Sequence, residues 1–355
     1  MKINFTLFIT FLTLTFIVFS TENAEAQDPQ FRQFYAAPMH VNPAMTGVHS
    51  GKFRVGANYR QQWNSVLGDN PFKTVAASYD MKFGVGRDDF FAFGASALQD
   101  WAGESNFKQV KGDLSVSYLK ALGGGYRSAD QFLVGGAQVG VGQNSIDVNG
   151  LWFSNQFNTT NEQIDFGAPT GEPGFSDATD MYLNMNAGIM WYAVFDHNAS
   201  VYVGGALHHI NGPKVSFIGN DGDEVIPTRW VGQVGGEVPF NDQLSILPAV
   251  MVTGQGPSML AIFGFNLRFT NRDWREVAIR AGVWPNLVKD EIDNFSIPNY
   301  SVSTTLEMER VQVGISYDVN ANKLSDPTNG RGGVELSVIY VHPGSRKEKV
   351  SCPKY

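Results

Sequence analysis

Few side chains in this sequence are of a type and spacing that could do chemistry. His208 and His209 are neighbours, and on a strand alternation sends adjacent rings to opposite faces, so the two cannot share one metal ion without distortion. Cys352 is the single cysteine; it permits no intrachain disulfide and lacks the neighbours expected of a nucleophile. Asp147, Glu162, Asp165, Glu172 and Asp177 lie between Asn144 and Thr179 with no Lys or Arg, and Asp221-Gly222-Asp223-Glu224 forms a second acidic stretch. Clustered oxygens suit a hard cation such as calcium, yet the spacing follows no EF-hand loop. Glu162, Asp165, Glu172, Asp177, Asp221 and Asp223 read instead as a solvated acidic surface open to a partner. No Gly-x-Ser-x-Gly, His-Glu-x-x-His or phosphate-loop pattern occurs, so the expectation is a protein that is not an enzyme and uses no metal or cofactor.

The other polar residues are ordered by alternation. Arg54, Asn58 and Arg60 interleave with Phe53, Val55, Ala57 and Tyr59, and Asn266 and Arg268 with Phe263, Phe265, Leu267 and Phe269. Asp318 stands between Tyr317 and Val319, and Glu335 between Val334 and Leu336. A period of two gives each segment one apolar and one mostly polar face, the signature of a strand. Segments of this kind begin near Gly51, Pro71, Asp89, Phe107, Ala129, Asp180, Asn198, Thr228, Asp242, Pro257, Trp274, Asn299, Glu309 and Arg331. That makes about fourteen antiparallel strands, an even number as a closed membrane barrel requires.

Loop lengths sort by parity. The long connections fall after odd strands, at Asn64 to Asn70, Asn144 to Thr179, Asn211 to Pro227, Pro285 to Pro298 and Ala321 to Gly330; those after even strands are brief. A soluble sandwich has no reason to do this, whereas outer-membrane barrels carry short periplasmic turns and long outer loops. Tyr59, Trp63, Tyr118, Trp191, Trp230, Trp274, Trp284, Tyr317 and Tyr340 fall near strand ends, where interfacial girdles belong. Under this reading Arg54, Asn58, Arg60, Asn266, Arg268, Asp318 and Glu335 face the lumen, lining a channel or pairing across it to satisfy buried charge.

The chain has 355 residues and a formal net charge of -8, from Lys+Arg 26 against Asp+Glu 34, which disfavours a nucleic-acid partner. Lys2, the apolar run Ile3 to Ser20 and Ala24-Glu25-Ala26 have the form of a cleaved signal peptide, with mature protein beginning at Gln27. Past it, no apolar run is long enough for a membrane-spanning helix. The expected organisation is 1–26 signal peptide, 27–50 periplasmic or plug segment, 51–341 barrel and 342–355 basic periplasmic tail, with both termini periplasmic. Within 27–50, Phe31, Phe34 and Tyr35 read as anchors and Asn42-Pro43 as a turn, for a segment that plugs the lumen, docks on machinery or merely packs on the rim.

Three stretches carry a resemblance: Gln27-Asp28-Pro29-Gln30-Phe31-Arg32-Gln33-Phe34-Tyr35, Asn42-Pro43-Ala44-Met45-Thr46-Gly47 and Tyr59-Arg60-Gln61-Gln62-Trp63. Near the other end stand Tyr317-Asp318-Val319-Asn320, Asn329-Gly330-Arg331-Gly332-Gly333-Val334-Glu335-Leu336-Ser337 and the closing Ser351-Cys352-Pro353-Lys354-Tyr355. Together they resemble the PorP/SprF family of Bacteroidota outer-membrane proteins. The resemblance implies a barrel working with the type IX secretion and gliding machinery, its partners being subunits of that apparatus and a secreted surface adhesin, in contact with outer-membrane lipid. A channel or hydrophobic-solute transporter of the fatty-acid-transporter type is the alternative.

Overall fold

The computed structural model describes residues 28–68, 70–103, 105–125, 128–148, 151–172, 174–195, 199–218, 224–271, 277–289, 295–321, 325–344 and 352–353. The expected signal peptide, Asp221, Asp223, Trp274 and most of the basic tail lie outside the described residues.

The first half of the chain forms β1 (Phe53–Gln62), β2 (Phe72–Val85), β3 (Asp89–Ala102), β4 (Phe107–Gly125) and β5 (Ser128–Ser145). A small hairpin of β6 (Phe157–Asn158) and β7 (Gln163–Ile164) stands in the loop that follows. The second half forms β8 (Tyr182–Val194), β9 (Ser200–His208), β10 (Arg229–Pro239), β11 (Leu244–Gln255), β12 (Ser258–Thr270), β13 (Ala278–Lys289), β14 (Phe295–Glu307), β15 (Val311–Asn320) and β16 (Arg331–His342). Apart from the β6–β7 hairpin, these strands form one closed antiparallel barrel of fourteen among the described residues. Each pairs with its neighbour in sequence, and β1 closes the cylinder against β16 from Phe53↔His342 to Gln62↔Gly333. Closure leaves no sheet edge, which lipid demands because it offers a free backbone amide no partner.

The burial pattern is that of a soluble protein turned inside out. On β15, Val313, Ile315 and Tyr317 are exposed while Gly314, Ser316 and Asp318 are buried; on β1, Arg54, Asn58 and Arg60 are buried between outward Val55 and Ala57. The apolar row faces lipid and the polar row faces the lumen. Phe53 stacks on His342 at 4.7 Å and lies near Tyr79 and Tyr340, an aromatic group at the short-turn end of the β1–β16 seam.

Three expectations need correction. Trp284 is not interfacial: it shares the inward row of β13 with Arg280 and Asn286 and is fully buried in the lumen. The stretch Pro285 to Pro298 is not a long loop, because β13 continues to Lys289 and β14 begins at Phe295, with Pro285↔Tyr300 and Asn286↔Asn299 paired. A register shift between Asn286 and Val288 absorbs the irregularity there, as bulges do. His208 and His209 do not point to opposite faces: His209 has a φ of 56°, which breaks the alternation, and both rings are buried.

Candidate functional site

The lumen is filled by the chain's own residues 28–50. This segment cannot be a strand, since Pro38 and Pro43 each interrupt backbone pairing; it forms three single turns, Phe34–Ala36, Pro38–Val41 and Pro43–Met45. Asn42 caps the third, its Oδ1 accepting from the Ala44 N–H at 2.9 Å. Its contacts with the barrel wall run the length of the lumen.

At the long-loop end, Asp28 is held by Lys111, by His209 Nε2 at 2.6 Å and by Arg229 at 3.5 Å, while its N–H donates to Gln255 Oε1 at 2.8 Å. Burial pushes the Asp28 carboxyl up, but Lys111, Arg229 and His209 outweigh it and hold it well below the usual carboxylate range. Arg229 also donates to the His40 carbonyl at 3.1 Å, and His208 Nε2 lies 3.1 Å from the Val41 carbonyl. The two histidines thus work on the same segment, one on a carboxylate and one on a backbone oxygen.

One step further in, Glu335 accepts the successive N–H groups of Arg32 at 2.7 Å and Gln33 at 2.9 Å. Arg60 bridges the plug and the wall: it donates to the Gln30 carbonyl and to Asp318 at 2.9 Å, and stands 3.8 Å from Glu335. Arg32 reaches Asp318 at 3.5 Å, and Gln33 is gripped by Ser316 and Ser337. Phe34 and Tyr35 then pack on Trp284 with ring centroids 5.7 and 5.6 Å apart, within a cluster that includes Val231, Met251 and Ile262. Phe31 forms a separate group with Ala37, Ala76 and Leu98.

The middle of the segment lies directly on backbone. Asn42 Nδ2 donates to the carbonyls of Ile189 and Gly205, and Pro43-Ala44 lies so close to Gly136 that an added Cβ would sit 2.4 Å from the Ala44 nitrogen. At the short-turn end Asp80 accepts from the Gly47 N–H at 2.7 Å and from Arg54 at 2.9 and 2.8 Å, and Lys82 donates to the His49 carbonyl. Burial, reinforced by Arg229 and Lys111, pushes His40 down to about 4. Burial, opposed by Asp80, pushes His49 down to about 3. Both rings are therefore neutral at physiological pH.

The polar residues singled out by alternation do not all meet the plug. Arg54, Arg60, Asp318 and Glu335 join the plug contacts just described. Asn266 accepts from Ser303 at 3.2 Å and lies beside the Tyr35 hydroxyl of the plug, whereas Arg268 pairs with Glu307 at 2.7 Å near Glu237 and Arg280. Asn58 is buried on β1 between Arg54 and Arg60. Asp80, Lys82 and Lys111 escaped the sequence reading, although each sits on the polar row of an alternating strand and could have been found there.

Asp28 sits at the end of the barrel that carries the long loops, so residues 28–50 run through the lumen from that end toward Ser50. Near the C-terminal end Cys352 is partly buried against Tyr192, with Sγ 3.9 Å from its hydroxyl. Outside the lumen, Glu162, Asp165, Glu172 and Asp177 stand exposed on the loop between β5 and β8.

Compared with known proteins, the chain matches the family model described as type IX secretion system membrane protein PorP/SprF over residues 23–340. Comparison with curated protein sequences found no match. Among solved structures it is similar to the TodX monoaromatic hydrocarbon channel deltaS2 mutant at 10% identity, covering 86% of this chain and 93% of that one with a TM-score of 0.48. It is similar to the toluene transporter TbuX of Ralstonia pickettii at 12% identity, covering 86% and 92%, with a TM-score of 0.46. It is also similar to BamA from Haemophilus ducreyi lacking POTRA domains 1-3, at 9% identity over 82% and 70%, with a TM-score of 0.43.

Proposed function

Because the chain belongs to the PorP/SprF family of type IX secretion system membrane proteins, we propose that it is a non-enzymatic docking barrel that holds a secreted adhesin, or a subunit of the secretion and gliding machinery, at the cell surface. One observation carries this reading: the lumen is occupied by residues 28–50, locked by ion pairs and hydrogen bonds at both ends. A barrel so filled has its two ends as working surfaces, not a passage. In this reading Phe31, Phe34, Tyr35, Asn42 and Pro43 seat the plug, and Arg54, Arg60, Asp318 and Glu335 fasten it. The loops that carry Glu162, Asp165, Glu172 and Asp177 meet the secreted partner, and the short-turn end meets periplasmic components.

The experiment is deletion of the protein in its native bacterium, followed by mass spectrometry of proteins shaved from intact cells. At least one type IX cargo should disappear from the surface. Unchanged display of every such cargo would count against docking, and a steady open pore formed by the intact protein in planar bilayers would favour solute transport instead.

A further inference from the structure

Building on the reading that a secreted partner is held at the long-loop end, we infer that this partner presents a cationic protein surface with an apolar centre, seated on the loop of residues 146–181 and on Ile218 beside it. The loop is braced. Phe107, Phe217, Phe175 and Phe153 form a chain of ring contacts at 6.4, 6.0 and 5.5 Å that ties three outer connections together. Backbone bonds add to it: Ser176 N–H to Phe217 O at 2.7 Å, Ile146 N–H to Asp177 O at 2.8 Å and Asp147 N–H to Ser105 O at 2.8 Å.

With that many aromatic rings turned inward, others are left outside. Trp152 and Phe166 are 54% and 66% exposed; Phe157, whose ring centroid lies 6.3 Å from that of Trp152, and Ile218 are exposed as well. Lipid accounts for exposed apolar residues on the strands, but these lie beyond the outer ends of β5 and β8, where water would surround them. Apolar residues gathered on a braced loop mark an interaction site, and the bracing lowers the ordering cost of binding.

Charge then selects the occupant. Residues 146–181 contain Asp147, Glu162, Asp165, Glu172, Asp177 and Asp180 and no Lys or Arg. A second copy of the same face would set carboxylate against carboxylate, and an anionic lipid surface would be repelled for the same reason. A surface rich in Lys and Arg is attracted, and its apolar centre covers Trp152, Phe157 and Phe166.

The test uses the full-length protein in its native bacterium. Deletion first identifies the cargo whose surface retention depends on the protein. The triple reversal Glu162→Lys, Asp165→Lys, Glu172→Lys and the double change Trp152→Ser, Phe166→Ser are then compared with wild type, and heat-modifiable gel mobility selects variants whose barrel is folded. The expected result is a loss of that cargo by about tenfold or more in the reversal, about threefold or more in the serine variant, and release from wild-type cells by high salt. If the reversal reaches the membrane unfolded, Glu162→Gln, Asp165→Asn, Glu172→Gln takes its place, with a loss of about threefold expected. Retention within about twofold of wild type in the folded charge variants, with the cargo still lost on deletion, overturns this inference and leaves the docking reading standing. A deletion without effect on any surface protein overturns the docking reading itself.

Discussion

Replacing Glu335 with alanine should free the leading half of the plug while the barrel stays closed. The carboxylate is 1% exposed and accepts two consecutive plug amides, at 2.7 and 2.9 Å, with Arg60 3.8 Å away. Its loss leaves two buried N–H groups without an acceptor, at about 1–3 kcal/mol each. Seen as the breaking of a buried charged contact, the same change costs about 3–5 kcal/mol, and the two figures describe one loss rather than two. At about 1.4 kcal/mol per tenfold, the local opening equilibrium should rise by about two to three and a half decades. Hydrogen–deuterium exchange of a peptide covering Asp28 to Ala37, in detergent, reads this directly, because exchange follows local opening. Ser316→Ala is the control: it removes one neutral contact of 3.3 Å to Gln33 and should speed exchange by no more than about tenfold. If the Arg32 and Gln33 amides exchanged at the wild-type rate in the Glu335→Ala protein, Glu335 would not be the latch.

Other perturbations address the same architecture. Gly136→Val places side-chain atoms where the Pro43 and Ala44 backbone now lies, so the plug should fail to seat and become protease-sensitive; a protected plug in this variant would contradict the packing. Deleting residues 28–50 should convert an electrically silent barrel into a steady pore in planar bilayers, and equal conductance with and without the segment would rule out plugging. Acid should loosen the plug, since His40 at about 4 and His49 at about 3 lie below the ordinary imidazole value of about 6.5. A released plug binds protons first as the pH falls. This contribution to seating is therefore complete above about pH 6.5 and is lost as pH falls through about 4 and then about 3. Exchange protection of the segment, corrected for intrinsic rates, should decline across that window, and a flat profile between pH 7 and 4 would refute the assignment.

Much of the barrel was legible because lipid imposes one rule on every strand. The period-two rows of Val311 to Val319 and Phe53 to Tyr59 predict which residues face out, and the observed starts of β3, β4 and β16 coincide with the expected Asp89, Phe107 and Arg331. The loop between Pro285 and Pro298 was misplaced because proline suggests a break, whereas a strand end with a register shift accommodates it. Trp284 was misassigned because an aromatic residue near a strand end suits an interface; counting along its own row from Arg280 would have turned it inward.

Alternation, loop parity and charge are local properties, and by themselves they determined that the chain closes into a lipid-facing cylinder with polar residues inside. Which partners those residues take is not local. Asp28 meets His209 across 181 positions and Arg32 meets Glu335 across 303, pairings that arise only once closure brings both ends of the chain into one lumen. The direction in which residues 28–50 thread that lumen was likewise decided by the tertiary structure, because it depends on where Lys111, Arg229 and Gln255 place their polar groups around Asp28.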